Sequence, residues 1–447
     1  MTPERGSLPV EHPQRRGLHE EVHARPFEPL TAPARLSHLA VLTGEAAAGR
    51  ERVHLAGLCA RFGAPAPSPE ATQILVDLGG FRLRWERHTE FSTYGFIVEG
   101  GFEEAFADTA MNRVPADWLA GLPGEVIVAI HVAVEGRDAP RRGVSEIAAL
   151  FGSAALAGSL MSSDAAAAWT DFRIREDGFS RLFVQDYAMG PRRTGRLIRR
   201  LLEVETYRMM ALLAFPPARA AGPALTRIGD RLTEITGALA QGETNQEDRR
   251  LLDDLTGLAA ELERLGASLA YRLGAMRAYD ALVAQRLEEL RENRLEGLQT
   301  VAEFLNRRYA PAIRTCESTQ SRLDELSVRI GRASDLLRTR VDVHLEAQNR
   351  DLLASMNRRA KLQLRLQETV EGLSVAAISY YVIGLLGYLA KGAKAAGAPL
   401  PPDLATGAAI PAVVALVWLG MRRMRRRLSR QMAESGEEEG AGGKTSA

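Results

Sequence analysis

LSVAAISYYVIGLLGYLA, residues 373–390, carries no charged side chain, and neither does LATGAAIPAVVALVWLGM, residues 404–421. At 1.5 Å per residue each helix would span roughly 27 Å, adequate for a hydrocarbon core of about 30 Å. The connection 391–403 is rich in Gly, Ala and Pro, as a tight turn outside a bilayer should be. Tyr388 and Trp418 lie near span ends, where amphipathic rings prefer to sit. This reads as a C-terminal two-helix transmembrane hairpin over 373–421.

Orientation follows from the flanking charge. Arg358, Arg359, Lys361 and Arg365 precede the first span, and Arg422, Arg423, Arg425, Arg426, Arg427 and Arg430 follow the second. The loop holds only Lys391 and Lys394, so the positive-inside rule places both termini in the cytoplasm. Arg422, Arg423, Arg425, Arg426 and Arg427 are candidates for contact with anionic lipid headgroups. The tail 422–447 is basic and then acidic, and its part after Arg430, with Glu434 and Glu437–Glu439 among Gly and Ser, has a composition that reads as disordered.

The rest of the chain looks water-facing. Its 447 residues are too many for one small core. A net charge of +1 argues against a nucleic-acid binder. Nearly all basic residues are Arg, evenly spread, which reads as genome composition. Cys59 and Cys316 are far apart in helix-like segments, suggesting neither a disulfide framework nor a metal cluster and fitting a reducing compartment. Residues 1–17 contain no apolar run and are expected to hold no cleavable signal peptide.

Residues 1–35 read as a short helix and extended chain punctuated by Pro13, Pro26, Pro29 and Pro33. Residues 36–190 form an α+β cytoplasmic domain with a mixed or largely antiparallel sheet. The strands expected are 36–42, 73–78, 81–87, 91–98, 126–134 and 182–187; the helices are 46–62, 102–111 and 144–151. Residues 191–372 read as a helical bundle and stalk. Helices are expected over 192–214, ended by Pro216-Pro217, then over 223–239 and 246–309, with Pro311 kinking or breaking the run before a helix continues into the first span. Heptad spacing holds locally at Leu323, Leu326, Ile330 and Leu337, then drifts to an 11-residue spacing at Ile330, Val341 and Leu352.

Enzymatic motifs are broken or out of context. His19-Glu20-Glu21-Val22-His23 fits H-E-x-x-H, the zinc-hydrolase pattern, but Pro26 stops the helix and no third ligand is singled out. Gly44 to Glu51 has P-loop glycine spacing. There Arg50 replaces the phosphate-reaching lysine and Glu51 the magnesium-binding hydroxyl, so it reads as an ordinary strand-to-helix turn. The run Arg192, Arg193, Arg196, Arg199 and Arg200 makes one basic helix face. With Glu203 and Glu205 close behind, a solvated, salt-bridged face is the better reading than an anion or headgroup site. No catalytic residue, metal site or cofactor is assigned, and the chain is read as a non-enzyme.

Three stretches carry a resemblance: His12-Pro13 with Glu21-Val22-His23-Ala24-Arg25-Pro26, Glu205-Thr206-Tyr207-Arg208-Met209-Met210-Ala211-Leu212-Leu213, and Gln367-Glu368-Thr369-Val370-Glu371-Gly372-Leu373-Ser374. Together they resemble a bacterial domain-of-unknown-function family of predicted membrane-anchored proteins. The resemblance implies a multi-pass protein of the bacterial inner membrane, with His23 and Arg25 in the signature more clearly than His19. The order of parts, and the stretch from Asp335 through Asp342 and Asn349 to Met356, resemble more distantly the CorA-type divalent-cation channels. That likeness implies a homo-pentamer whose first span lines a pore. The family's Gly-Met-Asn signature would fall at Gly387, Tyr388 and Leu389, the pore-mouth candidates, where its amide is missing. Lys391 and Lys394 also make the loop basic where an acidic one would concentrate cations.

Two functions follow as expectations. One is a CorA-like oligomeric transporter or channel, with Ser379, Tyr380 and Tyr381 as mid-span polar candidates facing protein or a water-filled path. The other is a membrane-tethered scaffold or sensor with a partner-binding cytoplasmic domain. Membrane lipids and further copies of the chain are the partners expected.

Overall fold

The computed structural model describes residues 11–23, 27–44, 47–153, 155–240, 245–395 and 401–441. The chain divides into two units, Met1–Leu337 and Arg338–Ala447.

The first unit is α+β and is built on one nine-stranded sheet. Its strands are β1 (Ala34–Leu42), β2 (Gln73–Asp77), β3 (Arg82–Arg87), β4 (Phe91–Glu99), β5 (Glu125–Glu135), β6 (Ala157–Met161), β7 (Ala166–Thr170), β8 (Ser180–Asp186) and β9 (Asn293–Arg294). They lie in the order β2-β3-β4-β1-β5-β8-β7-β6-β9. Only β5 and β8 pair in parallel, with Ile130 opposite Ser180; the other strand pairs are antiparallel.

The helices of this unit are α1 (Arg15–His23), α2 (Ala48–Arg61), α3 (Ala116–Ala120), α4 (Val144–Phe151), α5 (Pro191–Leu212), α6 (Phe215–Ala240), α7 (Asn245–Leu290) and α8 (Val301–Arg308). Helix α9 (Ala310–Ala395) begins here, and α10 (Pro402–Ala441) belongs to the second unit. Side chains alternate across each strand, so β1 feeds two cores. Leu36 and Ala40 join Ile130, Val132, Leu182 and the apolar stripes of α5, α6 and α7. Leu39 and Val41 face the other way, with Leu55 and Leu58 of α2, Trp85, Phe96 and Trp118. A third cluster, around Ile147, Phe151, Trp169 and Phe183, covers that second face under α4.

Several expectations change. Residues 102–111 are not a helix but turns leading to a 3-10 turn at Ala110–Arg113. Asp108 pairs with Arg35 and accepts from Asn112 Nδ2 at 3.3 Å, the local bonding with which Asp and Asn compete against helix. β6 and β7 were not expected, because the run Ala165–Ala168 lacks the branched residues of an ordinary strand. Alanine suits the close packing here: Ala166 and Ala168 face one core while Ala167 and Trp169 face the other.

Helix α5 ends at Leu212, just before Pro216 and Pro217 as expected, but α6 starts at Phe215 instead of 223, since a first turn has no use for the missing N–H of those prolines. Pro223 lies inside that helix, and Pro311 likewise sits in the first turn of α9. The expected helix 246–309 is two. Arg291 takes a left-handed φ of 50°, the chain joins the sheet as β9, and α8 starts at a Thr300–Glu303 capping box.

In the second unit one helix, the α9 run, is long and apolar enough to cross a membrane among the described residues. Its best window has mean hydropathy 1.8 and is 6% buried. Transmembrane pairing of α9 with α10 is not shown, although a Cβ at Gly387 would lie 3.5 Å from Thr406 Cγ2. Residues 396–400 of the expected turn lie outside the described residues. Leu323, Leu326, Ile330 and Leu337 are buried, whereas Leu352 and Met356 are exposed.

Candidate functional site

The period of two brings Leu36 and His38 of β1, Arg84 and Glu86 of β3, and Phe91, Thr93, Gly95 and Ile97 of β4 to one face of the sheet. Helix α5 crosses this face with Gly195, Ile198, Arg199, Leu202, Glu203 and Thr206, which recur at helical spacing. The space between is a cleft of about 80 Å³, or about 730 Å³ with its open mouth included.

The segment 27–30 closes one side as a strap. Leu30 N–H donates to the Pro191 carbonyl at 3.0 Å. The strap passes so close to α5 that a Cβ at Gly195 would lie 1.8 Å from the Glu28 carbonyl oxygen. The Arg196 and Arg199 guanidiniums stand 5.9 and 5.5 Å from the Phe27 ring centroid, within cation–π range. Glu28 itself is buried beside Arg82, 2.9 Å away.

A ladder of charges crosses the cleft. Arg84 donates to Glu86 at 2.5 Å, Arg199 lies 3.4 Å from the other Glu86 oxygen, and Arg199 Nε donates to Glu203 at 2.6 Å. Glu203 also pairs with Arg286 of α7. Burial works to raise the Glu86 pKa, but Arg84 and Arg199 outweigh it and hold the carboxyl below its usual range. Burial prevails at Glu28, whose pKa is raised although Arg82 and Arg84 oppose it.

His38 bonds to Thr206 Oγ1 at 3.2 Å. Burial lowers its pKa to about 4, Glu86 opposing and Arg84 assisting, so the imidazole is neutral at pH 7. The unfolded chain therefore takes up this proton first as pH falls, and folding should lose stability between pH 6.5 and about 4. Urea melts across that interval should show the loss, and His38→Gln should make the dependence shallower.

The cleft can bind and orient, but it presents no activated nucleophile. A Ser–His–Asp grouping among the described residues lies on the opposite sheet face. Ser37 Oγ and His131 Nδ1 are 2.8 Å apart, and His131 Nε2 is 3.9 Å from Asp177. Ser37 is fully buried and already accepts from Met111 N–H at 3.1 Å, so no substrate can reach it. Its partner His131, with a pKa lowered to about 4 by burial, stacks on Phe179 as part of the core.

Among the described residues no three His, Cys, Asp or Glu side chains gather as a metal site. The first helix of H-E-x-x-H forms as α1, but the side chains of Glu20 and His23 lie outside the described residues. In α9, Ser379 is buried with no hydrogen-bond partner for its hydroxyl, while Tyr380 and Tyr381 are exposed and meet edge-to-face at 6.0 Å. Tyr388 and Leu389 are exposed, and Gly387 faces Thr406. Arg422 lies over Trp418 at 5.0 Å, Arg423 is exposed, and the side chains of Arg425, Arg426 and Arg427 lie outside the described residues.

Of the residues lining the cleft, the sequence singled out Arg199, within a basic face read as solvated and salt-bridged. In β3 the apolar Phe81, Leu83 and Trp85 were legible as a core face. Arg84 and Glu86, on the other face, point beneath α5.

No curated protein and no solved structure matches the chain. Residues 10–428 match the family described as protein of unknown function DUF3422, and with most of its length so covered the chain belongs to that family.

Proposed function

We propose that this protein is a membrane-tethered sensor whose first unit takes a small amphipathic ligand. The observation that carries the reading is the cleft itself. Leu30, Leu36, Phe91, Ile97, Ile198 and Leu202 offer an apolar floor, and the Arg84–Glu86–Arg199–Glu203 ladder offers a charged rim. Apolar walls with a few convergent polar groups are the usual make-up of small-molecule sites. The tether is supported by the exposed apolar run of α9, which would be unfavourable in water and suits a bilayer. Leu404, Leu416 and Trp418 of α10, also exposed, would complete a hairpin with both ends in the cytoplasm. No feature of the described residues favours the pore over the tether.

Two measurements test this. Wild-type chain purified in mild detergent should release a stoichiometric small molecule on denaturation, seen by mass spectrometry. Leu202→Trp, which fills the cleft, should lower that occupancy at least about tenfold, the equivalent of 1.4 kcal/mol. Equal release from both proteins, or none from either, would count against the site. The chain should also stay in membranes after an alkaline carbonate wash, and deletion of 373–421 should release it. Release of the intact chain would remove the tether.

A further inference from the structure

On the same helix α5 lies a second pocket, lined by polar and charged residues. It has a volume of about 260 Å³, or about 650 Å³ with its open mouth included, and is lined by Ser162, Arg193, Arg196, Arg200, Glu289 and Arg291. Four guanidiniums thus meet one carboxylate. That carboxylate is already engaged: Glu289 accepts from Arg200 Nε at 2.8 Å, from Arg286 at 3.0 Å and from Gln285 at 3.1 Å. Arg193 donates to the Ser162 carbonyl at 3.2 Å, and Arg196 lies over Phe27. No acidic side chain pairs with Arg193, Arg196 or Arg291 among the described residues. The contrast lies within one helix, because Arg199 and Arg208 of α5 both have carboxylate partners.

The surrounding backbone adds to the excess. Helix α5 begins at Pro191 and has no acidic residue in its first turn. The positive end of its dipole is therefore left to arginines, which it repels. The facing end of α7 would normally present carbonyls that repel an anion. Here Ser162 N–H takes the Leu290 carbonyl at 2.9 Å, Arg291 N–H takes that of Glu288 at 3.2 Å, and Arg200 takes that of Glu289 at 3.3 Å. Asp164, close in sequence, is bonded to Asn293 Nδ2 at 2.8 Å.

We propose that this pocket binds a phosphate monoester, with Arg193, Arg196 and Arg291 as its direct ligands. A dianion relieves the repulsion among the arginines and meets the helix dipole with the favourable sign. Planar guanidiniums suit phosphate oxygens bidentately. The monoester can belong to a soluble metabolite or to a lipid headgroup. The sequence, which pointed to a solvated, salt-bridged face, was right for Arg199 and Arg200 and missed Arg193 and Arg196.

The test uses the full chain in nanodiscs of phosphatidylcholine. In one arm glycerol 3-phosphate is titrated calorimetrically. In the other, binding to vesicles of phosphatidylcholine containing phosphatidic acid is compared with pure phosphatidylcholine vesicles. Binding in the first arm identifies a soluble ester, and binding in the second alone identifies a headgroup; either supports the site if the variants agree. Arg193→Gln and Arg291→Gln should each weaken it roughly tenfold or more, the effect of losing a hydrogen bond to a charged group. Arg192→Gln, a nearby exposed arginine outside the pocket, should change it little. All three should keep the wild-type melting temperature, since no buried contact is lost. No binding in either arm, or equal losses at Arg192 and Arg193, would overturn the proposal. Leu202→Trp, which tests the cleft, should leave this binding intact, so the two readings can fail separately.

Discussion

Glu51→Ala is expected to destabilise the first unit by about 3–5 kcal/mol, the range for removing one partner of a buried ion pair. Glu51 is fully buried on α2, accepts from Tyr94 Oη at 3.0 Å and from Arg87 at 3.3 Å. Alanine leaves a buried phenol hydroxyl without its acceptor and removes the carboxylate facing Arg87. It also opens a void beside Tyr94, a member of the core that holds Leu55, Leu58 and Trp85. Glu51→Gln keeps an acceptor for Tyr94 and should lose less. Chemical denaturation of the wild type and both variants checks the order. A Glu51→Ala protein as stable as wild type would mean the Tyr94–Glu51–Arg87 group contributes nothing.

Gly195→Ala should be the next most damaging small change, at about 1–3 kcal/mol, as for other overpacked sites. The new Cβ would have to occupy space 1.8 Å from the Glu28 carbonyl oxygen, which is backbone and cannot rotate away. The strap must lift, breaking the Leu30 N–H to Pro191 bond and exposing Leu30, now 3% accessible. Hydrogen exchange should show the Leu30 amide losing protection while β5 and β8 keep theirs. An unchanged exchange pattern would show that the close approach is not needed. Gly222, in the next helix, has nothing near its missing Cβ, so Gly222→Ala is a matched control and should be neutral or mildly stabilising.

These two sites show where the sequence could and could not be read. Six of the strands were legible because alternation and β-branched residues mark them: β5, with Val126, Ile127, Val128, Ile130 and Val132, is the plainest. The alanine hairpin of β6 and β7 carries no such mark, since its strand identity comes from the neighbours it packs between. β9, only two residues long, is defined wholly by its partner β6. The cleft was hidden for a related reason. Arg84, Glu86, His38 and Thr206 are separated by up to 168 positions, and nothing local shows that β1, β3 and α5 converge. Glu51 could be read only as a broken phosphate motif, because its partners Arg87 and Tyr94 lie on other strands. The prolines mark the helix breaks at 213–214 and 309, but the helix after Pro216 and Pro217 begins at Phe215, not at 223, because both prolines fit its first turn.

The chain's brief return to the sheet between α7 and α8 sets how that helical layer can move. Ser162 N–H bonds the last carbonyl of α7, Gly158 N–H bonds the Gln299 carbonyl at 2.9 Å, and Val301 N–H bonds Ser159 Oγ at 3.2 Å. Both sides of the α7–α8 junction are thereby riveted to one strand, β6, and the 46-residue α7 acts as a lever with its fulcrum at that end. The arginines Arg286 and Arg200 bridge α7 to α5 within one turn of the fulcrum, where displacement is smallest. A tilt of α7 would therefore reach the sheet at two places, as torque on β6 at this end and as a pull on Glu90, beside β4, through Arg272 and Tyr279.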